Sequence, residues 1–341
     1  MTLQTSLKLT RRALAAAALT VLLPFGGSAY AQSTMKLASA TINDVQHEWQ
    51  KEFQKEIEAR VGEELKIEIY PASQLGAIPR MSEGVLLGTI EAFTTPTSFV
   101  TNVDPRFQAF DVPGMFKNAD EVDAVIHDKD FRDYLETLFL DKGVRIVGAI
   151  FNSPTQMLTR EPVTTIEGMN GLKVRTFASP LQMKPMEAVG VTPTPLALSE
   201  VIPQLQAGGI DGMLAGIPIL SAFKFYDTAK HVTNINMNQI VSVTLVNEAW
   251  FQSQSDEVKT AIIEAGRAAE TTVFPWGVDN VERAEKVWLD NGGEVHMLPE
   301  DQQKELQATF AKAADDVIAD QPEVIEVKDR IEAKLEEVRA K

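Results

Sequence analysis

The sequence predicts an α/β protein of two lobes, each a mixed sheet flanked by helices, with one long helix spanning both. Three observations predict it. The chain has 341 residues, 44% of them hydrophobic, enough to build more than one core. Residues 171–216 read strand–helix–strand–helix–strand, which is half of an open α/β domain. Residues 35–70 read strand–helix–strand as well.

Residues 1–31 stand apart from the fold. Lys8, Arg11 and Arg12 make a positive start, residues 13–24 are apolar, and Ala29-Tyr30-Ala31 is an A-x-A cleavage site before Gln32. A membrane span needs about 20 apolar residues, and this run is shorter. An export signal peptide cleaved after Ala31 is expected, with the paired arginines leaving both the Sec and the twin-arginine route open.

Residues 35–40 form the first strand, ending in small side chains. Residues 41–44 are a polar loop with helix-cap character, and residues 47–61 an amphipathic helix stopped by Gly62. Residues 65–70 alternate as a second strand before a Pro/Ser/Gly turn. Residues 79–88 are helical, and residues 89–93 a strand running into Thr94-Thr95-Pro96-Thr97-Ser98. The hydroxyls there, Thr95 and Thr97 among them, suit either a ligand or a helix cap. Phe110 and Phe116 read as core. A helix over 119–140 and a strand over 143–151 follow.

Gly171-Leu172-Lys173-Val174-Arg175 has the pattern of a short strand, with Arg175 at the end that faces a crevice in open α/β sheets. Residues 179–188 are a helix with Pro180 in its first turn, and residues 192–195 a strand. Ser199 and Glu200 open a helix over 201–207 that stops at Gly208-Gly209, and Ile210-Asp211-Gly212-Met213 begins another strand. Residues 247–269 are helical with Ser255 as N-cap, and residues 272–291 continue as the long helix carrying Trp276 and Trp288. A short strand over 294–298 precedes polar helices over 299–314 and 322–340, the last with the mixed charge of a solvated face.

The chain has no cysteine, which excludes disulfides, thiolate metal sites and a cysteine nucleophile. Its net charge is −16, and removing the three leader cations makes it −19. Nucleic acid and anionic membrane are not expected as partners at that charge. An anionic ligand is repelled at long range too, so a bound acid needs a concentrated local cation. Arg175 is the one well placed. A guanidinium stays charged and forms two parallel bonds with a carboxylate.

Enzyme signatures are missing. The four histidines are scattered without H-E-x-x-H, there is no G-x-S-x-G, and Gly208-Gly209 lacks a nucleotide-binding context. Glu200 and Asp211 suit capping and turn formation better than acid–base work. No enzyme activity, cofactor or metal is expected.

Several short motifs in order resemble one family. Tyr70-Pro71-Ala72-Ser73-Gln74-Leu75-Gly76 is similar to its Y-P-x-S-Q-L-G turn. Residues 107–116 contain FDVPGMF, like its F-D-hydrophobic-P segment. Gly171–Arg175, Val189–Pro195, Ser199–Val201 and Leu205–Gly212 are similar to its G-L-K-hydrophobic-R, h-G-hydrophobic-x-P-x-P, S-E-V and L-Q-x-G-x-hydrophobic-D-G pieces. By these the chain resembles the solute-binding proteins of TRAP transporters, the tripartite, ATP-independent periplasmic systems.

The resemblance implies a two-lobed periplasmic binding protein that closes on a small organic acid and delivers it to a permease of a small and a large membrane subunit. It implies Arg175 as carboxylate anchor; Phe177, two residues on, suits either stacking on the ligand or core packing. It also implies lobe crossings at residues 152–156 and 241–246. Lobe I is then 32–151 plus 242–281 and lobe II 152–241 plus 282–341. Asn152, Gln156, Asn238 and Gln239 at these crossings, with Thr95, Thr97 and Met213, complete the expected site, and a monomer is expected. Two departures bear on the ligand. Pro154 stands where sialic-acid-binding members carry a second arginine, and Met213-Leu214-Ala215-Gly216 follows where the family often has Q-E-N-P. Apolar contacts therefore replace polar ones, which favours a smaller or more apolar acid, such as an aromatic, 2-oxo or 2-hydroxy carboxylate, over a sugar acid. The alternatives are a ligand sensor docking on a receptor kinase and a secreted enzyme acting on small acids.

Overall fold

The computed structural model describes residues 32–340; the expected leader lies outside the described residues. The elements run β1 (Ser33–Ser39), α1 (Val45–Val61), β2 (Leu65–Tyr70), α2 (Ile78–Leu87), β3 (Ala92–Pro96), α3 (Ala119–Ile126), α4 (Lys129–Thr137), β4 (Val144–Pro154) and β5 (Gln156–Thr159). They continue as β6 (Lys173–Thr176), α5 (Pro180–Ala188), β7 (Thr192–Pro195), α6 (Leu198–Ala207), β8 (Gly212–Ala215), α7 (Ile217–Ala222), β9 (His231–Asn234) and β10 (Gln239–Asn247). The chain ends with α8 (Glu248–Gln252), α9 (Asp256–Asp290), β11 (Glu294–Met297), α10 (Glu300–Ile318) and α11 (Pro322–Arg339).

Two sheets organise these elements. The first has the order β2-β1-β3-β10-β4, with β1 parallel to its neighbours and β10 antiparallel to both of its own. The second has the order β11-β9-β5-β8-β6-β7 and is also mixed. A single residue, Thr155, separates β4 in one sheet from β5 in the other. The chain returns between β9 and β10, and the ends of β4 and β10 pair there, Gln239 against Pro154 and Ile240 against Ser153.

Helix α1 shows how local sequence sets the packing. Asp44 caps it by accepting the His47 N–H at 3.1 Å, and Gly62 ends it at φ 54°. Val45, Trp49, Phe53, Ile57 and Val61 recur every four residues, so one stripe is buried against the first sheet and α9. Trp49 and Phe53 stack with centroids 5.0 Å apart. Gly148 on β4 and Gly266 on α9 make room for this contact. A methyl group on the first would enter the Trp49 indole, and one on the second would collide with the Val147 carbonyl.

Some elements differ from the sequence expectation. The helices expected over 247–269 and 272–291 are the short α8 and then α9, a single 35-residue helix capped by Ser255. Pro275 lies inside α9 without ending it, because the neighbouring turns are packed on both sheets' cores. At about 1.5 Å per residue the helix is ~52 Å long. It carries Val258 to Val273 into the first lobe and Ala284 and Trp288 into the second. The helix expected over 119–140 is broken at His127-Asp128, where Asp128 caps α4 through the Phe131 N–H. The third strand begins at Ala92 rather than residue 89, so Thr94 and Thr95 lie within it. Helix α11 was expected with the second lobe. Instead Val324, Val327, Ile331 and Leu335 share a core with Phe107, Phe110, Val122 and Val125 beside the first sheet.

Candidate functional site

A partly open cavity lies between the two sheets. One wall comes from the first lobe, chiefly Thr41, Gln46, Ile78, Thr95 and Phe99. The other comes from Arg175, Phe177, Leu198, Met213 and Ile219, with Asn152 at the crossing.

Arg175 is the third residue of β6, paired with Thr194 on β7 and Met213 on β8. Its guanidinium therefore emerges between the ends of two flanking strands, and their carbonyls hold it. Nε donates to the Leu196 carbonyl at 2.9 Å and Nη1 to the Leu214 carbonyl at 3.1 Å. Phe99 and Phe177 lie 5.2 and 5.1 Å from it, ring centroid to guanidinium carbon. The residue is 2% exposed, yet no carboxylate among the described residues pairs with it. Burial pushes its pKa down to about 9. It still carries its charge at neutral pH, and neither hydrogen bond to the main chain uses Nη2. An unneutralised buried cation is costly, and a carboxylate supplies what it lacks.

The polar groups opposite Arg175 are neutral. Asn152 donates to the Ser242 hydroxyl at 3.2 Å and accepts from Ser153 at 3.1 Å. Gln46 donates to Asp44 at 3.2 Å, while its Oε1 is buried with no partner among the described residues. That oxygen can accept a hydrogen bond from a ligand hydroxyl.

The structure brings Arg175, Phe177, Asn152, Thr95 and Met213 onto this cavity. Four other expected site residues do not line it, and each is otherwise engaged. Thr97 donates to the Val241 carbonyl at 3.3 Å, tying the turn after β3 to β10. Gln156 accepts the Ile217 N–H at 3.2 Å, at the start of α7. Asn238 accepts from Gln182 at 3.1 Å, and Gln239 reaches back to the Lys117 carbonyl at 3.5 Å. Crossing segments spend their side chains joining neighbouring elements. Phe99, Gln46, Ile78, Leu198 and Ile219 were missed. Phe99 directly follows the hydroxyl run that was singled out, and Gln46 sits two residues beyond its capping loop. Glu200 and Asp211 do structural work: Glu200 accepts the Ala197 N–H at 3.2 Å, and Asp211 the Lys173 N–H at 2.9 Å.

Comparison with known proteins agrees with this architecture. Residues 38–321 match the DctP model, described as bacterial extracellular solute-binding protein, family 7. A solute-binding protein of Verminephrobacter eiseniae is 30% identical over 242 residues, covering 70% of this chain and 72% of its own. A TRAP periplasmic solute-binding protein of Shewanella oneidensis, solved with bound succinate, superimposes with a TM-score of 0.82 at 22% identity. It covers 89% of this chain and all of its own. Another from Bordetella, with density assigned to pantoate, has a TM-score of 0.77 at 25% identity over 88% of this chain and 99% of its own. These are binding proteins rather than enzymes. The chain is a member of family 7 of the bacterial extracellular solute-binding proteins.

Proposed function

We propose that this protein is the periplasmic receptor of a TRAP transporter and captures a small organic acid between its two lobes. The observation that carries the reading is the buried Arg175 guanidinium, held by two carbonyls and two aromatic faces and lacking a carboxylate of its own among the described residues. The ligand carboxylate is the natural counter-ion, meeting Nη2 and the remaining Nη1 proton. The unpartnered Gln46 Oε1 favours a ligand hydroxyl, and Ile78, Leu198, Met213 and Ile219 favour an otherwise apolar body. A 2-hydroxy acid meets this set in full; a 2-oxo acid meets the cation and the apolar walls but offers Gln46 Oε1 no proton. Pantoate, to which the density of one structural neighbour is assigned, is a 2-hydroxy acid, whereas the succinate of the other shares only the small size and the carboxylate.

Binding requires the lobes to part and close, and only interactions made in the closed state hold them shut. The strand break at Thr155 and the β9–β10 connection are the natural hinge. The lobe boundaries follow those breaks, except that α11 goes with the first lobe. The loaded monomer would then dock on a permease of one small and one large subunit. Its leader would be removed after Ala31, giving a mature chain starting at Gln32. Docking on a receptor kinase has no observation in its favour. Native mass spectrometry of freshly purified protein tests the reading, followed by thermal-shift measurements with a panel of acids. Stabilisation by short hydroxy or oxo acids supports it; stabilisation by sugar acids alone overturns the ligand class.

A further inference from the structure

A second cluster of side chains lies on the opposite side of the second sheet from Arg175. His231 on β9 and Glu294 on β11 are register partners, and His296 follows Glu294 by two residues. In parallel strands that spacing puts all three side chains on one face. Val232 and Val295 between them point the other way, into the core with Trp288. His231 Nδ1 and His296 Nε2 are 3.1 Å apart, and the Glu294 carboxylate oxygen Oε2 is 3.6 Å from each. A triangle with these sides has a circumradius of about 2.0 Å, so a point ~0.6 Å off its plane is about 2.1 Å from all three donors. Those are the bond lengths zinc makes to imidazole nitrogen and carboxylate oxygen.

We propose that His231, Glu294 and His296 form a site for a divalent transition-metal ion of the zinc class, with water in the remaining position. Two imidazole nitrogens at this separation can share a proton or a metal ion, and the carboxylate at equal distance from both favours the metal. The two histidines are largely buried while Glu294 is exposed, so an ion can enter from solvent. The strands themselves hold the donors, which therefore need little rearrangement. The ion would clip the edge strand β11 to β9. It would also brace the Gly292-Gly293 turn that ends α9, where the Trp288 indole N–H already donates to the Glu294 carbonyl at 3.2 Å. None of the three residues lines the inter-lobe cavity, so this site is separate from solute binding.

The test is calorimetric titration of the metal-free protein, without a histidine tag, with Zn²⁺ alone, alongside thermal denaturation. One ion per chain is expected, with a higher unfolding midpoint. His231→Ala or His296→Gln should weaken binding by roughly 100-fold or more, beyond the tenfold to hundredfold typical of losing an outer-shell partner. Glu294→Gln should weaken it less. Solute affinity of each variant, unchanged, verifies that the fold is intact. Cobalt substituted for zinc should give the visible spectrum of a low-coordinate site in the wild type only. Absence of zinc binding by the wild type, or equal binding by the His231→Ala/His296→Gln double variant, overturns the proposal.

Discussion

Replacing Arg175 with methionine should separate ligand affinity from stability. Burial has moved this guanidinium well below its usual range, to a pKa of about 9. At about 1.4 kcal/mol per unit, the buried charge is opposed by roughly 4–5 kcal/mol. Against that stand the two hydrogen bonds to Leu196 and Leu214, charge-assisted and worth about 1.5–3 kcal/mol each. The two contributions nearly cancel, and methionine keeps most of the volume beside Phe99 and Phe177. The unliganded variant should therefore fall within about 2 kcal/mol of the wild type. Binding has no such compensation. Removing one partner of a buried charged contact costs about 2–5 kcal/mol, which is ~30-fold to several thousand-fold in affinity. Calorimetry with the co-purified acid and urea unfolding of the ligand-free protein read the two quantities. Arg175→Lys should fall between, since an ammonium keeps the charge but loses the planar fork. A variant that binds within about threefold of the wild type, or that loses as much stability as affinity, would refute this reasoning.

Other perturbations have equally definite expectations. Phe177→Ala removes an apolar wall worth about 1.5–3 kcal/mol, so affinity should fall ~10- to 100-fold in calorimetry while the preference for carboxylates over their amides survives. Gly266→Ala pushes α9 away from Val147 and should cost about 1–3 kcal/mol in urea unfolding, with solute affinity little changed. Burial pulls the His127 pKa down, but bonds to Asp123 and Glu270 outweigh it and raise it to about 9 from 6.5. The sign follows from folding favouring the protonated ring. Its contribution is complete below about pH 6.5 and lost as pH rises through 9. His127 is partly exposed, so the loss should be only ~1–2 kcal/mol after screening. Unfolding at pH 6 and pH 9.5 should differ less in His127→Gln by that amount; an equal pH response would disprove the assignment.

The sequence made some of this legible and concealed the rest for identifiable reasons. Arg175 could be located because a strand end in an open α/β sheet has a predictable outlook, and the motifs around it fixed the strand. The first crossing was legible, since the expected segment 152–156 spans the β4–β5 break at Thr155; the return, expected at 241–246, falls earlier, at residues 235–238, because β10 from Gln239 on already belongs to the first sheet. Which way each crossing side chain points was not: Asn152 faces the cavity while Gln156, four residues on, bonds the start of α7. Phe99 and Gln46 come from a 3-10 turn and a helix start, where no short-range periodicity reports orientation. The strand β9 and the helix α7 have four and six residues, too few to show a period. Helix α11 shows a clear buried stripe, but the stripe does not name the surface it meets. The single α9 was expected as two helices parted at residues 270–271, yet Glu270 and Thr271 carry no stop signal and the helix runs through them; Pro275, inside it, is tolerated because tertiary packing holds both sides of it.

The most direct test is an electron-density map of the protein with its own co-purified solute. The account predicts carboxylate oxygens about 2.7–2.9 Å from the Arg175 Nη atoms, with the bonds to Leu196 and Leu214 retained and the ligand body against Phe177. A solute elsewhere, or one whose carboxylate avoids that guanidinium, would contradict it.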